Sequence, residues 1–493
     1  MVTLVGTLLA ALADARTATI AVDTTHIKAT FDPASLTAVC IDACALKLGL
    51  NFSDQRLVKL TSNLGPGVLR LGGTDQNTWF YDLNETRSNC SACGPWAAGC
   101  FLSRPYWEEI LEFGARTGRR VLFGLNAGGK DPTDDAAAAV ANASALVAYT
   151  KTLPDRLRGA LLGWTFGNEL VPKKTSDGPA LAAAMRDRIA RVRDASGELG
   201  GVLVAPDVGL GPRALWTEPA ALRSDEKIAR SLAYLEEFSD ACGDVLDAIS
   251  FHTYDFRAAE LGVVPDDSPL PDPAPANASK FHDETYLDVF EALLAAARNA
   301  TGRRALWLTE TNSVNHHGVP RLTDSYGNSL WLAHRLGVAA TAGLALVSRQ
   351  SLIGFDYPLL TDDLAPTPDY FLTALFRKLV VGAEAFAVVS DGGVRAFAFC
   401  GAGNGGLLLA VNLEATAVSL DVRGFDGPRV DYVLAPGDGG LSSPTMSLNG
   451  VRLAVGDDGS LPAFDGASSA TLTLGPLGIA FAAYGGAVAA CRA

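Results

Sequence analysis

LLGWTFGNEL, residues 161–170, is an apolar run from Leu161 to Phe166 that stops on Gly167-Asn168-Glu169. A buried strand reads this way: its backbone is fixed by the sheet, and the glycine lets the chain turn so that an amide and a carboxylate stand at its mouth. ALWLTETN, residues 305–312, has the same form and ends its apolar part on Glu310. Two acidic side chains at the ends of two buried strands suggest one shared site.

Working outward, short β-rich runs recur at Thr37–Asp42, Gly67–Leu71, Arg120–Leu125, Leu161–Phe166, Gly201–Ala205, Ala248–His252, Ala305–Glu310 and Ala345–Gln350. Helix-length stretches separate them. Ser103-Arg104-Pro105 opens one in which Trp107, Ile110, Leu111 and Gly114 share a face and Gly118 closes the helix, and Tyr286 to Arg298 is another. Strand alternating with helix implies a parallel sheet, and eight such units imply a closed (β/α)8 TIM barrel, whose chemistry sits at strand C-terminal ends. Asp42, Asn126, Asn168, Glu169, His252, Glu310 and Gln350 all fall at such ends. The Pro/Asp-rich stretch within Asp255–Phe281 reads as a long loop or surface excursion, and Asp131–Ala139 as an acidic loop entering an Ala-rich helix.

From about Phe386 the texture changes to short alternating segments parted by glycine, such as VRAFAFC, GLLLAVN and IAFAAYG, which predicts a C-terminal antiparallel β-sandwich. Thr19–Phe31 alternates loosely and can join it as an extra strand. Cys400 and Cys491 stand at the two ends of this region, where a bridge would tie the last strand to an early one. The expected division is a signal peptide over 1–15, an N-terminal strand in 16–34, the barrel over 35–385 and the sandwich over 386–493.

With 48% hydrophobic and 19% charged residues, the 493-residue chain can build a large core, and wholesale disorder is excluded. A net charge of −14 argues against nucleic acid and highly sulfated polysaccharide as partners. Val2 to Ala15 resembles the apolar core and A-x-A-like site of a signal peptide, although the positive leader is missing; the alternative is a first core helix. Six Asn-x-Ser/Thr sequons, at Asn51, Asn84, Asn89, Asn142, Asn277 and Asn299, and eight cysteines fit a secreted or cell-wall, vacuolar or lysosomal location. Cys90, Cys93 and Cys100 have no second Cys/His pair at finger spacing, which favours disulfides over zinc. No other stretch suits a membrane span.

Two carboxyl groups flanking a scissile bond are what glycoside hydrolysis needs: one protonates the leaving oxygen, and the other attacks the anomeric carbon from roughly 5–5.5 Å away in retaining enzymes. Glu169 is expected as the acid, its pKa raised by Asp42 or Glu310, and Glu310 as the ionised nucleophile. Asn168 has a donor suited to a sugar hydroxyl. A lone Asn-Glu pair is usually a cap or solvated loop; the glycine-ended strand and the matching Glu310 weigh against that here. His252, in FHTY, is placed to hold a carboxylate, with a structural histidine as the even alternative. His316-His317 fits a loop or substrate contact better than a metal ligand pair, and Gly72-Gly73-Thr74 lacks the spacing of a phosphate-binding loop. No metal or cofactor is expected.

Together these residues resemble the heparanase and β-glucuronidase family of retaining glycoside hydrolases, glycoside hydrolase family 79, especially its plant heparanase-like members. The likeness runs from Leu69-Arg70-Leu71-Gly72-Gly73-Thr74 through Phe123-Gly124-Leu125-Asn126-Ala127, Gly163-Trp164-x-x-Gly167-Asn168-Glu169-Leu170 and Trp307-Leu308-x-Glu310-Thr311 to Arg349-Gln350-Ser351-Leu352-Ile353-Gly354 and Pro368-Asp369-Tyr370. The resemblance implies Glu169 as acid/base, Glu310 as nucleophile, and Asp42, Thr74, Asn168, His252, Tyr254, Gln350 and Tyr357 lining the sugar site; a cysteine near the C-terminus matches its sandwich disulfide. The chain departs from the pattern at Thr309, where glycine is usual, at Cys44, and in Asn312–Gly318, the loop that handles the uronate carboxylate in relatives.

The reading is a secreted, retaining, exo-acting β-glucuronidase, probed against a carbohydrate substrate and expected to be a monomer. A retaining glycosidase for a neutral sugar such as glucose or xylose, or a carbohydrate-binding barrel without catalysis, are the alternatives.

Overall fold

A computed structural model of the chain describes residues 16–85, 88, 101–129, 136–197, 200–211, 226–257, 275–315, 317–391 and 393–491. The first strand, β1 (Arg16–Thr30), precedes eight parallel strands: β2 (Ala38–Asp42), β3 (Gly67–Gly72), β4 (Arg119–Leu125), β5 (Leu161–Phe166), β6 (Val202–Gly209), β7 (Ala248–Phe256), β8 (Leu306–Val314) and β9 (Leu346–Gln350). They pair in chain order, and β9 returns to β2 through Ser348–Ala38 and Gln350–Cys40, which closes the barrel. Every strand read from the sequence is one of the eight. Three run further than their apolar parts suggested, because β6, β7 and β8 carry polar residues that pair on toward the mouth.

The helices follow from local chemistry. Arg104–Thr117 has proline in its first turn, buries Trp107, Ile110, Leu111 and Gly114, and ends where Gly118 takes the left-handed conformation (φ 69°). Glu284–Thr301 is capped by Asp283, whose side chain accepts from Thr285 N. Leu71, Phe123 and Trp164 are fully buried in one large core, where Trp107 meets Phe123 edge-on at 4.7 Å.

Among the described residues, Phe80–Asp82 and Phe101–Ser103 make a small parallel pair, and ten other strands, β1 included, form one sheet. β1 pairs antiparallel with Glu384–Ser390 and parallel with Val418–Arg423, so its alternation served a two-sided position inside the sheet. In Gly406–Asn412, Leu407, Leu409 and Val411 join the barrel core, whereas Leu408 and Ala410 meet Ala18, Ile20, Val418, Leu420 and Leu472 in a second core. Strands far apart in the ladder share that second core, so the ribbon folds over itself as a sandwich. Tyr326 of helix Tyr326–Thr341 joins the sheet to the barrel, its hydroxyl donating to Leu434 O (3.1 Å) and Leu477 O (3.0 Å). Cys400 and Cys491 are bonded, closing the last strand region onto an early one.

Cys44 is also disulfide-bonded, while Cys40 and Cys242 are buried free thiols, so the even cysteine count does not mean full pairing. The leader, Cys90, Cys93 and Cys100, Asn89, His316 and most of the Pro/Asp-rich stretch lie outside the described residues. The sequon at Asn142 is engaged: its amide donates to Tyr81 O (2.7 Å) and accepts from Tyr81 N (2.8 Å). Among the described residues no helix is long and apolar enough to cross a membrane.

Candidate active site

At the C-terminal mouth of the barrel the chain after β5 turns through Gly167 (φ 78°), where a Cβ would meet Leu170 Cδ1 at 2.8 Å. Glu169 follows, also left-handed (φ 52°), and its N–H donates to Asp207 O at 3.0 Å. Asn77 clamps the preceding residue, donating to Asn168 O (2.8 Å) and accepting from Asn168 N (3.0 Å). A non-glycine residue held left-handed costs backbone energy and persists only where its surroundings over-determine it. Here they aim one carboxylate into the mouth.

Glu310, on β8, is buried and gripped from two sides. Tyr254 donates its hydroxyl to Oε1 at 2.6 Å, and Arg70 donates to Oε2. One oxygen each of Glu169 and Glu310 and one ring nitrogen of His252 lie within 4.8 Å of one another. His252 Nδ1 is 3.1 Å from Glu169 Oε1 and 3.9 Å from Glu310 Oε2. Folding therefore brings the two distant carboxylates to one point, with a histidine between them.

Beneath them runs a buried ionic layer. Arg70, inside β3, donates to Asn168 Oδ1 (2.8 Å) and Asp207 Oδ2 (3.0 Å) besides Glu310. Asp207 accepts from Thr309 Oγ1 at 2.6 Å and lies 3.5 Å from His252 Nε2. Thr309, at the position where glycine is usual, thus holds Asp207 in place. Arg70 and Asp207 were assigned no role from sequence. The signal for Arg70 was a charge inside an apolar strand, which in a barrel points inward; Asp207 lay just past the apolar part of β6.

The charges sort themselves accordingly. Burial works against His252's proton, but the Glu310 and Asp207 carboxylates outweigh it and raise its pKa to about 9. Burial likewise pushes Asp207 up, yet His252 and Arg70 hold it well below the usual carboxylate range. Burial raises Asp42 to about 7, with the charge of Glu310 adding to it. Glu169 feels the same burial, but the hydrogen bond and charge of His252, with Lys227 and Arg70, leave it below its ordinary value. This corrects the expectation that Asp42 or Glu310 raises Glu169: the hydrogen bond and charge of His252, 3.1 Å away, lead the groups that lower it. Both shifts favour a protonated His252 paired with an ionised Glu169.

The other expected residues divide. Asp42 caps the short helix Ala43–Lys47 by accepting from Cys44 N (2.8 Å), and Gln350 Nε2 donates to its Oδ2 at 2.9 Å. Gly73 (φ 144°) leaves room for it, since a Cβ there would meet Asp42 Oδ2 at 2.5 Å. Tyr357 is buried and its ring lies near-parallel to Tyr254, centroids 6.5 Å apart. Thr74 is exposed at the start of a 3₁₀ turn and takes no part in the carboxylate network among the described residues. Asn126 departs from expectation. Its side chain donates to Trp79 O (3.0 Å) and accepts from Gly128 N (2.9 Å), which ties it to the neighbouring loop, outside the carboxylate network among the described residues.

Glu169, His252 and Glu310 are of the chemical types that ligate a cation. A guanidinium and a protonated imidazole already neutralise those carboxylates, so the donor set does not suit a metal. Two closely spaced carboxylates, one exposed to the mouth and one gripped in the wall by Arg70 and Tyr254, suit nucleophilic and acid/base work on a glycosidic bond.

Comparison with known proteins agrees. Residues 10–186 match the family model described as Glycosyl hydrolase family 79, N-terminal domain. The chain is 25% identical over 485 residues to heparanase-like protein 3 of Arabidopsis thaliana, covering 88% of this chain and 84% of that protein. It is 26% identical over 492 residues to the hyaluronoglucuronidase of Hirudo nipponia, covering 90% and 92%. In fold it is similar to a 4-O-α-L-rhamnosyl-β-D-glucuronidase from Fusarium oxysporum, with a TM-score of 0.66 at 15% identity over 94% of this chain and 100% of that one. The chain is a glycoside hydrolase that is similar over most of its length to heparanase-like proteins.

Proposed function

We propose that the chain is a retaining, exo-acting β-glucuronidase in which Glu310 attacks the anomeric carbon and Glu169 protonates the leaving oxygen. The observation that carries this reading is the approach of the Glu169 and Glu310 oxygens to within 4.8 Å, with His252 between them. Inverting enzymes hold the pair roughly 6.5–9.5 Å apart to admit a water, and retaining ones roughly 5–5.5 Å. Arg70 and Tyr254 donate to its two oxygens and hold Glu310 aimed. The proton on His252 lies on its 3.1 Å hydrogen bond to Glu169, and reaches the leaving oxygen through that carboxyl once substrate covers the pair. After the aglycone departs, Glu169 takes a proton from the water that hydrolyses the glycosyl-enzyme.

The uronate preference draws on the relatives, one of which is named a hyaluronoglucuronidase. One observation favours the neutral-sugar alternative: the buried Arg70 and Arg349 are engaged by Glu310 with Asp207 and by Asp369. Secretion is part of the same proposal, supported by the Cys400–Cys491 bond, which needs an oxidising compartment.

The deciding experiment follows the anomeric proton of the first-formed product by NMR, with aryl β-glucuronide and aryl β-glucoside compared side by side. β-Product from the glucuronide is expected. α-Product refutes retention, and a preference for the glucoside moves the assignment to a neutral sugar.

A further inference from the structure

The loops after β8 and β9 carry a feature that hydrolysis of a single sugar does not require. His317 and Phe355 lie face to face, ring centroids 4.2 Å apart and planes within 3° of parallel. His317 is exposed and Phe355 half-buried, whereas a stack serving only as core packing would be covered. Both residues are left-handed, at φ 75° and 64°, which is unfavourable for a bulky side chain. The surroundings hold them there: Asp356 N donates to His317 O (2.8 Å), Gly318 bridges to Asp356, and Thr323 Oγ1 donates to Asp356 O at 2.5 Å while accepting from Val319 N at 2.8 Å. Two loops are thus stitched together at the point where they present a stacked pair to solvent.

The stack is continuous with the candidate active site. Phe355 meets Tyr357 edge-on at 5.9 Å, Tyr357 lies alongside Tyr254 at 6.5 Å, and Tyr254 donates to Glu310. An aromatic line therefore leads from Glu310 through Tyr254 and Tyr357 to an exposed ring pair. Aromatic faces recognise flat rings with C–H or π surfaces, and a pre-ordered platform binds without the cost of ordering it.

Resting on the glycosidase reading above, we propose that His317 and Phe355 form a subsite that holds a ring of the substrate other than the sugar being cleaved. Its occupant is a flat ring face joined to that sugar, either the next sugar of an oligosaccharide or an aromatic aglycone. The enzyme is thereby selective for extended substrates.

The test measures kcat/KM for wild type, His317→Ala and Phe355→Leu on three substrates built on the sugar the enzyme turns over: the glycosyl fluoride, which has no second ring, an oligosaccharide and an aryl glycoside. The ratio of extended substrate to fluoride is expected to fall about tenfold in each variant, the size of effect an aromatic stacking pair provides. A fall with the oligosaccharide alone assigns the platform to sugar, a fall with the aryl glycoside alone to an aromatic aglycone, and a fall with both to either face. A ratio that stays at the wild-type value overturns the proposal, including the case where damaged loops lower all three rates together. Wild type inert on glucuronides and neutral glycosides alike overturns the glycosidase assignment, and the platform with it.

Discussion

The hydroxyl of Tyr254 and Oε1 of Glu310 stand 2.6 Å apart, with the tyrosine donating. Burial, followed by the charge of Glu310, holds the phenol's pKa far above its ordinary value, so it remains a donor at every working pH. Hydrogen bonds to a charged group are worth about 1.5–3 kcal/mol, and this one keeps the carboxylate aimed. Tyr254→Phe is expected to lower kcat/KM by about 10- to 100-fold with little change in thermal stability. An unchanged rate would remove Tyr254 from the site.

Glu310 and Glu169 separate by leaving group. Glu310→Gln is expected to abolish turnover of every substrate, a loss of at least about a thousandfold. Glu169→Gln should fail with poor leaving groups yet retain formation of the glycosyl-enzyme from a glycosyl fluoride, which needs no protonation to depart. Equal losses on both substrate types in Glu169→Gln would refute the acid role.

The raised pKa of His252 also links stability to pH. Its folded value of about 9 lies above the ordinary 6.5, so its contribution is complete below pH 6.5 and is lost as pH rises toward 9. Asp207 has the opposite sign: its carboxyl is lowered, so its contribution is present above the ordinary 3.8 and is lost as acid titrates it. Urea unfolding of wild type should show a midpoint that declines between about pH 6.5 and 9, and His252→Gln should flatten that window. A decline of the same slope in the variant would assign it to other groups.

Arg70 is fully buried between Glu310 and Asp207. Removing one partner of a buried ion pair leaves an uncompensated charge and costs about 3–5 kcal/mol. Arg70→Met should therefore destabilise by about that amount in urea and also be inactive. Adding Asp207→Asn should restore part of the stability but none of the activity. If the single variant unfolds at the wild-type midpoint, the buried layer is not the support described above.

The barrel could be read from the chain because its strands are apolar on both faces and stop on glycine or polar residues, and local pattern carries that information. Glu169, Glu310, Asn168, His252 and Gln350 were found the same way, by their places at strand ends. Asn126 shows where the rule fails: it has the same address, but its amide is engaged by Trp79 and Gly128. Arg70 and Asp207 were overlooked because their importance lies in partners on strands far apart in sequence.

By itself, then, the sequence determined a barrel rimmed with acids and amides and followed by an alternating all-β region, since those features depend on periods of two to four residues. Only the tertiary structure decided that Arg70 and Tyr254 grip Glu310, that His252 stands between the two glutamates, and that His317 stacks on Phe355. Those outcomes depend on charges and rings meeting across a few ångströms after the chain has closed on itself, and no local pattern encodes such distances.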